Sequence, residues 1–396
     1  MDPVTDWTSD FDIADPDYQN DPYPVWDELR AGCPVATSDR RMRTVLPVGW
    51  DDISAVAYDT EHFSSVDVGT LPPPSGSSTL VAPPITSDPP FHTAARRILL
   101  PHFSPAATER VRPHTEAICR RLVDEVVAVA AAGDGTVDAA EAYAQHIPVG
   151  VIAHLLGIPD DDIPVFLDWA IRIFQSGEPA VIRTATKEIL AYFADQVAER
   201  RQEPAGDLIS ALLEADLDGS PLTDKHLTGT CFLLLMAGID TTWSSIGAAL
   251  WHLATNHDDR DRLVAEPELR PMAIEELLRA YAPVTMARIA TDDTEVGGCP
   301  VHAGDKVLLP FPAGNRDPEK FEQPDEVVID RARNRHFAFG IGIHRCLGSN
   351  LARMEMQVAI DTWLDRFPRF ALAEGTEVRW GGTQVRGPRE LPVVLG

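Results

Sequence analysis

The chain has 396 residues, 44% hydrophobic and 24% charged, an ordinary balance for a soluble globular protein with room for a large core. Its 61 acidic and 34 basic residues leave a net charge of −27, which argues against nucleic-acid partners. The 5 cysteines (Cys33, Cys119, Cys231, Cys299 and Cys346) show no paired spacing, so neither a disulfide framework nor a zinc site is expected, and a reducing, cytoplasmic setting fits.

In chain order, the acidic, polar start through Asp12 lacks the basic and apolar regions of a secretory signal. Asp21–Gly32 reads as an amphipathic helix entered through prolines and stopped by Gly32. Arg43–Val48 suggests short strands. Proline and glycine dominate Gly69–Pro84, a long irregular loop of the kind that usually serves a function. Helical periodicity runs from Pro90 to Leu278, with breaks at Gly133–Gly135, Pro159–Asp162, Gly177–Pro179 and Gly219–Pro221. Met286–Val307 turns strand-like around Gly297–Gly298 and Gly304–Asp305, and Val378–Leu395 reads as hairpins. Leu227–Leu253 has the length of a membrane span. It carries Asp240 and several threonines and serines, so a buried core helix is expected and no membrane anchor. The sum is a mainly α fold with a minor β region, one domain over residues 1–396, without repeats or a flexible linker.

The most informative run is Phe339-Gly340-Ile341-Gly342-Ile343-His344-Arg345-Cys346-Leu347-Gly348, followed by the apolar-periodic segment Leu351–Leu364. Glycines on both sides of one cysteine allow unusual backbone geometry and close approach of a flat ligand. A cysteine at a helix start is favoured as thiolate, and a thiolate is an axial ligand for haem iron. A buried structural cysteine in a glycine-rich turn is the plainer alternative. The second signal is Ala237-Gly238-Ile239-Asp240-Thr241-Thr242 inside the apolar helix, where a glycine, a carboxylate and two hydroxyls are all costly. Thr241 is placed to bond the Ala237 carbonyl and open the helix, with Gly238 leaving room beside it. A kinked core helix would explain the same residues. The third is Glu276-Leu277-Leu278-Arg279, an acid and an arginine one turn apart on one face.

The cysteine run resembles the haem-binding loop of the cytochrome P450 monooxygenases, and the resemblance extends over nearly the whole chain. It implies the fold of that family: a helix-rich triangular prism with haem b (iron protoporphyrin IX) between a long distal helix and the cysteine-loop helix. Cys346 would then be the metal ligand, with Phe339, Gly340 and Gly348 shaping its loop. Ala237 would face the haem from the distal helix. His92, Arg96, Arg288 and His344 match the positions that hold the haem propionates. Asp240 would relay protons and Thr241 would manage their delivery to dioxygen. Glu276 and Arg279 would brace the cysteine loop, with partners from Asn315–Pro318, Phe321–Asp325, Arg331 or Arg333.

The implied reaction inserts one atom of dioxygen into a C–H bond, or performs a related oxidation, on a small or medium hydrophobic substrate. Leu233, Met236, Val284, Met286 and Val385 match pocket positions, together with Thr285 and the loop Gly69–Thr86. Ala170, Ile173 and Phe174 are candidate lid residues. No G-x-G-x-x-G fingerprint and no iron–sulfur cysteine set occurs, so electrons are expected from a ferredoxin or flavodoxin with its reductase. Arg97, Arg110, Arg112, Arg345 and Arg353 are candidates for its docking face, and a monomer is the family default. A haem carrier, and a peroxide-driven hydroxylase or isomerase, stay open; the pair Asp240–Thr241 speaks against both.

Overall fold

The computed structural model describes residues 2–72 and 80–396. Long helices set the frame, and two of them are opened by a hydroxyl cap. Ser104 accepts the Ala107 amide at the start of Pro105–Ala132, and Thr223 accepts the His226 amide at the start of Asp224–Thr255. The latter helix has 32 residues and is apolar around most of its circumference. It is therefore buried, packed by His146–Leu156, Pro179–Gln202 and Ser349–Arg366. The span-like stretch is a core helix, as its hydroxyls and carboxylate implied. Ser349–Arg366 also packs on Pro105–Ala132, and the main core joins residues from Leu99 to Val393.

The larger sheet has five strands in the order Val35–Ser38, Thr44–Pro47, Lys306–Pro310, Thr285–Ala290, Phe63–Ser64. Lys306–Pro310 lies parallel to Thr44–Pro47 and antiparallel to Thr285–Ala290, with Leu308 opposite Ala287. All of its residues are buried, as expected of a strand covered on both faces. The glycine turn at Gly297–Gly298 joins the small hairpin Thr294–Val296 and Cys299–Val301, as its sequence predicts. The tail differs in part. Trp380–Gly381 and Gly387–Pro388 form the expected hairpin, but Pro392–Leu395 pairs with Phe370–Leu372 and with Thr136–Asp138. Local alternation marks a strand without naming a partner so far away in sequence.

Part of the proline-rich loop, residues 73–79, lies outside the described residues. Its described flanks are pinned. Lys306 is fully buried, and its Nζ donates to the Asp67 carboxylate (2.9 Å) and to the carbonyls of Gly69 (2.6 Å) and Leu71 (3.1 Å). On the other side, the Thr230 hydroxyl donates to the Pro83 carbonyl at 3.1 Å. The loop is thus tied to the sheet at one end and to the long helix at the other.

Candidate active site

The cysteine run is held by its own backbone. The Cys346 amide donates to the Phe339 carbonyl at 2.7 Å, and the Gly340 amide donates to the Phe337 carbonyl at 2.7 Å. Gly340 and Gly342 sit at φ 61° and 69°, where side chains are strained. A Cβ at Gly342 would also lie 2.6 Å from the Ala57 carbonyl oxygen, so glycine is required there. The helix Ser349–Arg366 begins just beyond Cys346, which therefore stands in the loop rather than in the first helical turn. Its side chain keeps accessible surface while protein surrounds it. Burial pushes the thiol up, opposed by the Gly348 amide and by Arg96, Arg345 and Arg353. Arg353 lies over the Phe339 ring at 4.3 Å and pairs with Glu275 at 2.6 and 2.8 Å, which fixes the ring beside the loop.

Glu276 and Arg279, both fully buried, form the brace that the sequence suggested. Arg279 donates to Glu276 twice at 2.8 Å, and to the carbonyls of Asn315 (3.0 Å), Pro324 (2.6 Å) and Glu326 (2.7 Å). Glu276 accepts in addition from the Val328 amide (2.9 Å), Arg331 (2.9 Å) and Asn334 (3.0 Å). Every donor of the guanidinium is used, which is what makes a buried pair tolerable. Of the expected partners, Arg331, Asn315 and Pro324 take part and Arg333 does not; Asn334, Glu326 and Val328 are additions.

Four residues from distant segments meet beside the loop: His92, Arg96, Arg288 and His344. The His92 and His344 rings are 4.2 Å apart, and His344 Nε2 is 2.9 Å from the Ser65 hydroxyl. Both ring nitrogens of buried His92 lack a partner. Buried Arg288 makes one hydrogen bond, to the Ala287 carbonyl at 2.7 Å, and Arg96 makes one, to the Arg345 carbonyl at 2.5 Å. Burial lowers Arg288 to about 10, with Asp88 pulling the other way. Burial followed by repulsion from Arg288, His92 and Arg96 drives His344 down to about 2. Among the described residues none of the four has a carboxylate partner, and two arginines gathered without counter-charge beside two histidines with unused donors are unfavourable. The donor set fits a ligand with an anionic edge, as the two carboxylates of haem provide.

On the long helix, Thr241 donates to the Ala237 carbonyl at 2.8 Å, as its position predicts. The helix runs unbroken across this bond, so the expected opening does not interrupt it. A Cβ at Gly238 would make ordinary contact with Ile152 at 3.5 Å, so crowding does not demand the glycine. Ala237 is exposed and Thr241 half-buried, while Asp240 between them is buried. The Asp240 carboxylate is paired by both terminal nitrogens of Arg389, one of them at 3.4 Å. Arg389 is the residue that the sequence reading missed. A buried carboxylate requires a cation, but nothing local says which.

Val284 and Val385 form an antiparallel bridge, and Gln384 Nε2 reaches Met286 Sδ at 3.5 Å and the Val68 carbonyl at 3.3 Å. Three of the pocket candidates are thus brought together, with Gln384 as an unforeseen polar member. Leu233 is half-buried on the long helix, whereas Met236 is buried in the main core. Ala170 is likewise core rather than lid; Ile173 and Phe174 are partly buried beside it. The arginine patch is smaller than the sequence suggests. Arg112, Arg120 and Arg121 pair along their own helix, Arg97 lies 3.9 Å from Asp218 and Arg353 pairs with Glu275, so of the docking candidates Arg110 and Arg345 make no ion pair among the described residues.

Known proteins resemble this chain in sequence and in fold. The Cytochrome P450 family model matches residues 161–379. The cytochrome P450 monooxygenase PikC of Streptomyces venezuelae is 34% identical over 388 residues, covering 95% of this chain and 92% of PikC. Nocardicin C N-oxygenase of Nocardia uniformis subsp. tsuyamanensis is 36% identical over 392 residues, covering 93% and 96%. Among solved structures, CYP109E1 from Bacillus megaterium in complex with testosterone superposes at a TM-score of 0.86, with 31% identity and coverage of 96% and 100%. Sequence similarity over nearly full length, a shared fold and a cysteine loop facing a cation cluster lead to one statement: the chain belongs to the cytochrome P450 family, whose members are haem-iron oxidoreductases.

Proposed function

We propose that this P450 monooxygenase holds haem b through the Cys346 thiolate and oxidises a small or medium hydrophobic molecule. The donor cluster beside the cysteine loop, the cations Arg96 and Arg288 with His92 and His344, carries this reading, because it calls for an anionic edge at that place. When bound, haem supplies the activation of dioxygen and the insertion of one oxygen atom. The protein's own part is ligation, shielding, proton handling and placement. Cys346 ligates from the loop, and Phe339, clamped by Arg353, keeps water from the sulfur. Arg288, Arg96 and the two histidines hold the carboxylate edge.

Thr241, with its hydroxyl hydrogen committed to the Ala237 carbonyl, offers its oxygen lone pairs toward the distal side and orders a proton donor there. Asp240, next along the helix, is the titratable source. Val284, Met286 and Val385 give the substrate an apolar wall, with Thr285 and Gln384 able to orient a hydroxyl or carbonyl. The similarity to a structure that holds testosterone supports a hydrophobic substrate of medium size.

Separate proteins supply the electrons, a ferredoxin or flavodoxin with its reductase. Of the candidate docking arginines, Arg110 and Arg345 make no ion pair among the described residues and are placed to meet an acidic donor, and the salt dependence of reduction reads this directly. The single domain over residues 1–396 is supported by a main core that joins residues from Leu99 to Val393. A cytoplasmic monomer completes the proposal; the cytoplasmic setting is supported by burial of the one helix among the described residues that is long and apolar enough to cross a membrane.

Replacing Thr241 with Ala tests the oxidase chemistry. Product should fall about tenfold or more while electron donor consumption continues and hydrogen peroxide accumulates. Unchanged product yield with no added peroxide would contradict the role of Thr241.

A further inference from the structure

The carboxylate of Asp240 is buried in the long helix, yet its counter-ion comes from the C-terminal hairpin. Arg389 grips Asp240 with both terminal nitrogens. The same Nη2 donates to the Val385 carbonyl at 2.9 Å, and the guanidinium lies 5.4 Å from the Trp243 ring. Trp243 is the third residue on from Asp240, so the arginine covers one face of the helix at this turn. The hairpin is pressed directly against the helix. A Cβ at Gly387 would lie 2.5 Å from the Ser244 side chain. At the hairpin's other end, Gly382 adopts φ 111°, and a Cβ there would lie 1.8 Å from the Val385 carbonyl oxygen. The turn that carries Val385 is therefore built around this glycine.

We infer that Arg389 is a positioning residue that fixes the orientation and charge state of Asp240, and that the hairpin thereby ties the pocket wall at Val385 to the proton-handling turn of the long helix. The inference deepens the monooxygenase reading and rests on it for its consequence in turnover. Its geometry is independent of it: one side chain bonds both the carboxylate and the backbone of a pocket residue. Burial pushes the Asp240 carboxyl up, and Arg389 opposes it as the only charged group shown to act on it. With the arginine in place, Asp240 is aimed at the hairpin and its anionic form is favoured against burial, although burial still leaves the carboxyl above its ordinary range. Without it, burial acts alone and Asp240 holds its proton to higher pH. A shift of the Val385 backbone moves an acceptor of Arg389, so the wall of the pocket bears on the carboxylate through a single guanidinium.

The experiment is an infrared titration of Asp240 in the holoenzyme. The signal is the C=O band of the protonated carboxyl, taken as the difference from Asp240→Asn in the same background. In Arg389→Met, Asp240 should bind its proton at least about tenfold more tightly than in the parent, a shift of about one pH unit or more. Arg389→Lys, which keeps the charge, should restore much of the parent value, and it serves as the second variant if Arg389→Met loads haem poorly. Gly382→Ala removes neither charge of the pair; its Cβ would displace the Val385 carbonyl and crowd Arg389 Nη2 at 3.1 Å, so it should shift the titration in the same direction as Arg389→Met. A parent-like titration in Arg389→Met would overturn the role of Arg389, and one in Gly382→Ala would overturn the tie to the hairpin. The reduced carbon monoxide spectrum of each protein is recorded alongside. A parent without a thiolate-type spectrum would strike the monooxygenase reading, while the infrared titration would still decide the role of Arg389.

Discussion

Glu355 lies in the helix Ser349–Arg366, buried, with its Oε2 meeting no donor. Burial raises its carboxyl from the usual range to about 8. It sits near Cys119, whose thiol burial has pushed up to about 12. The folded protein therefore keeps a proton that the unfolded chain gives up between the ordinary carboxyl range and pH 8. In that window the folded state binds more protons, so stability falls as pH rises, on the order of 1.4 kcal/mol per pH unit. Glu355→Gln removes the titration while keeping the shape. Denaturant unfolding of the two proteins should give similar stability near pH 5 and a clear advantage for Glu355→Gln at pH 8. An equal gap at both pH values would contradict this. Single residues are also where sequence reading works best. Cys346 and Thr241 were legible because their requirements, a glycine turn and a carbonyl four residues back, are local. Arg389 was not, because its partner lies 149 positions away.

The helix Arg270–Ala280 and the irregular segment that follows Asn315 are joined by one carboxylate and one guanidinium. The pair Glu276–Arg279 was legible as a one-turn spacing on a helix. Asn315, the stretch with Pro324 and Arg331 were anticipated as partners, whereas the Glu326 carbonyl, the Val328 amide and Asn334 were not, because this segment has no periodicity and offers backbone groups as much as side chains. Glu276→Ala leaves a buried guanidinium without its anion and strands Arg331, Asn334 and the Val328 amide. A stability loss of about 3–5 kcal/mol is expected, with weakened haem retention because the segment leads into the cysteine loop. Calorimetry and haem content measure the two effects, and a loss below about 1 kcal/mol would show that the network is not the brace described. Strands show the same division. Thr44–Pro47 and Lys306–Pro310 were recognisable as strands, whereas their side-by-side parallel pairing follows from tertiary packing alone.

For the molecule as a whole, helical periodicity and one very hydrophobic helix sufficed for the fold class. Composition could not say how the charge is arranged. Several arginines that look like a docking surface in the sequence are consumed by neighbouring carboxylates, whereas Arg96, Arg288 and Arg345, with no carboxylate partner among the described residues, lie beside the cysteine loop. That placement makes one measurement decisive. The purified protein is reduced with dithionite, exposed to carbon monoxide, and its absorption spectrum compared with that of Cys346→Ala. A strongly red-shifted Soret band in the parent, absent from Cys346→Ala, is the result expected of thiolate-ligated haem. A histidine-type carbonyl spectrum in folded parent protein, or a red-shifted band that survives Cys346→Ala, would contradict it.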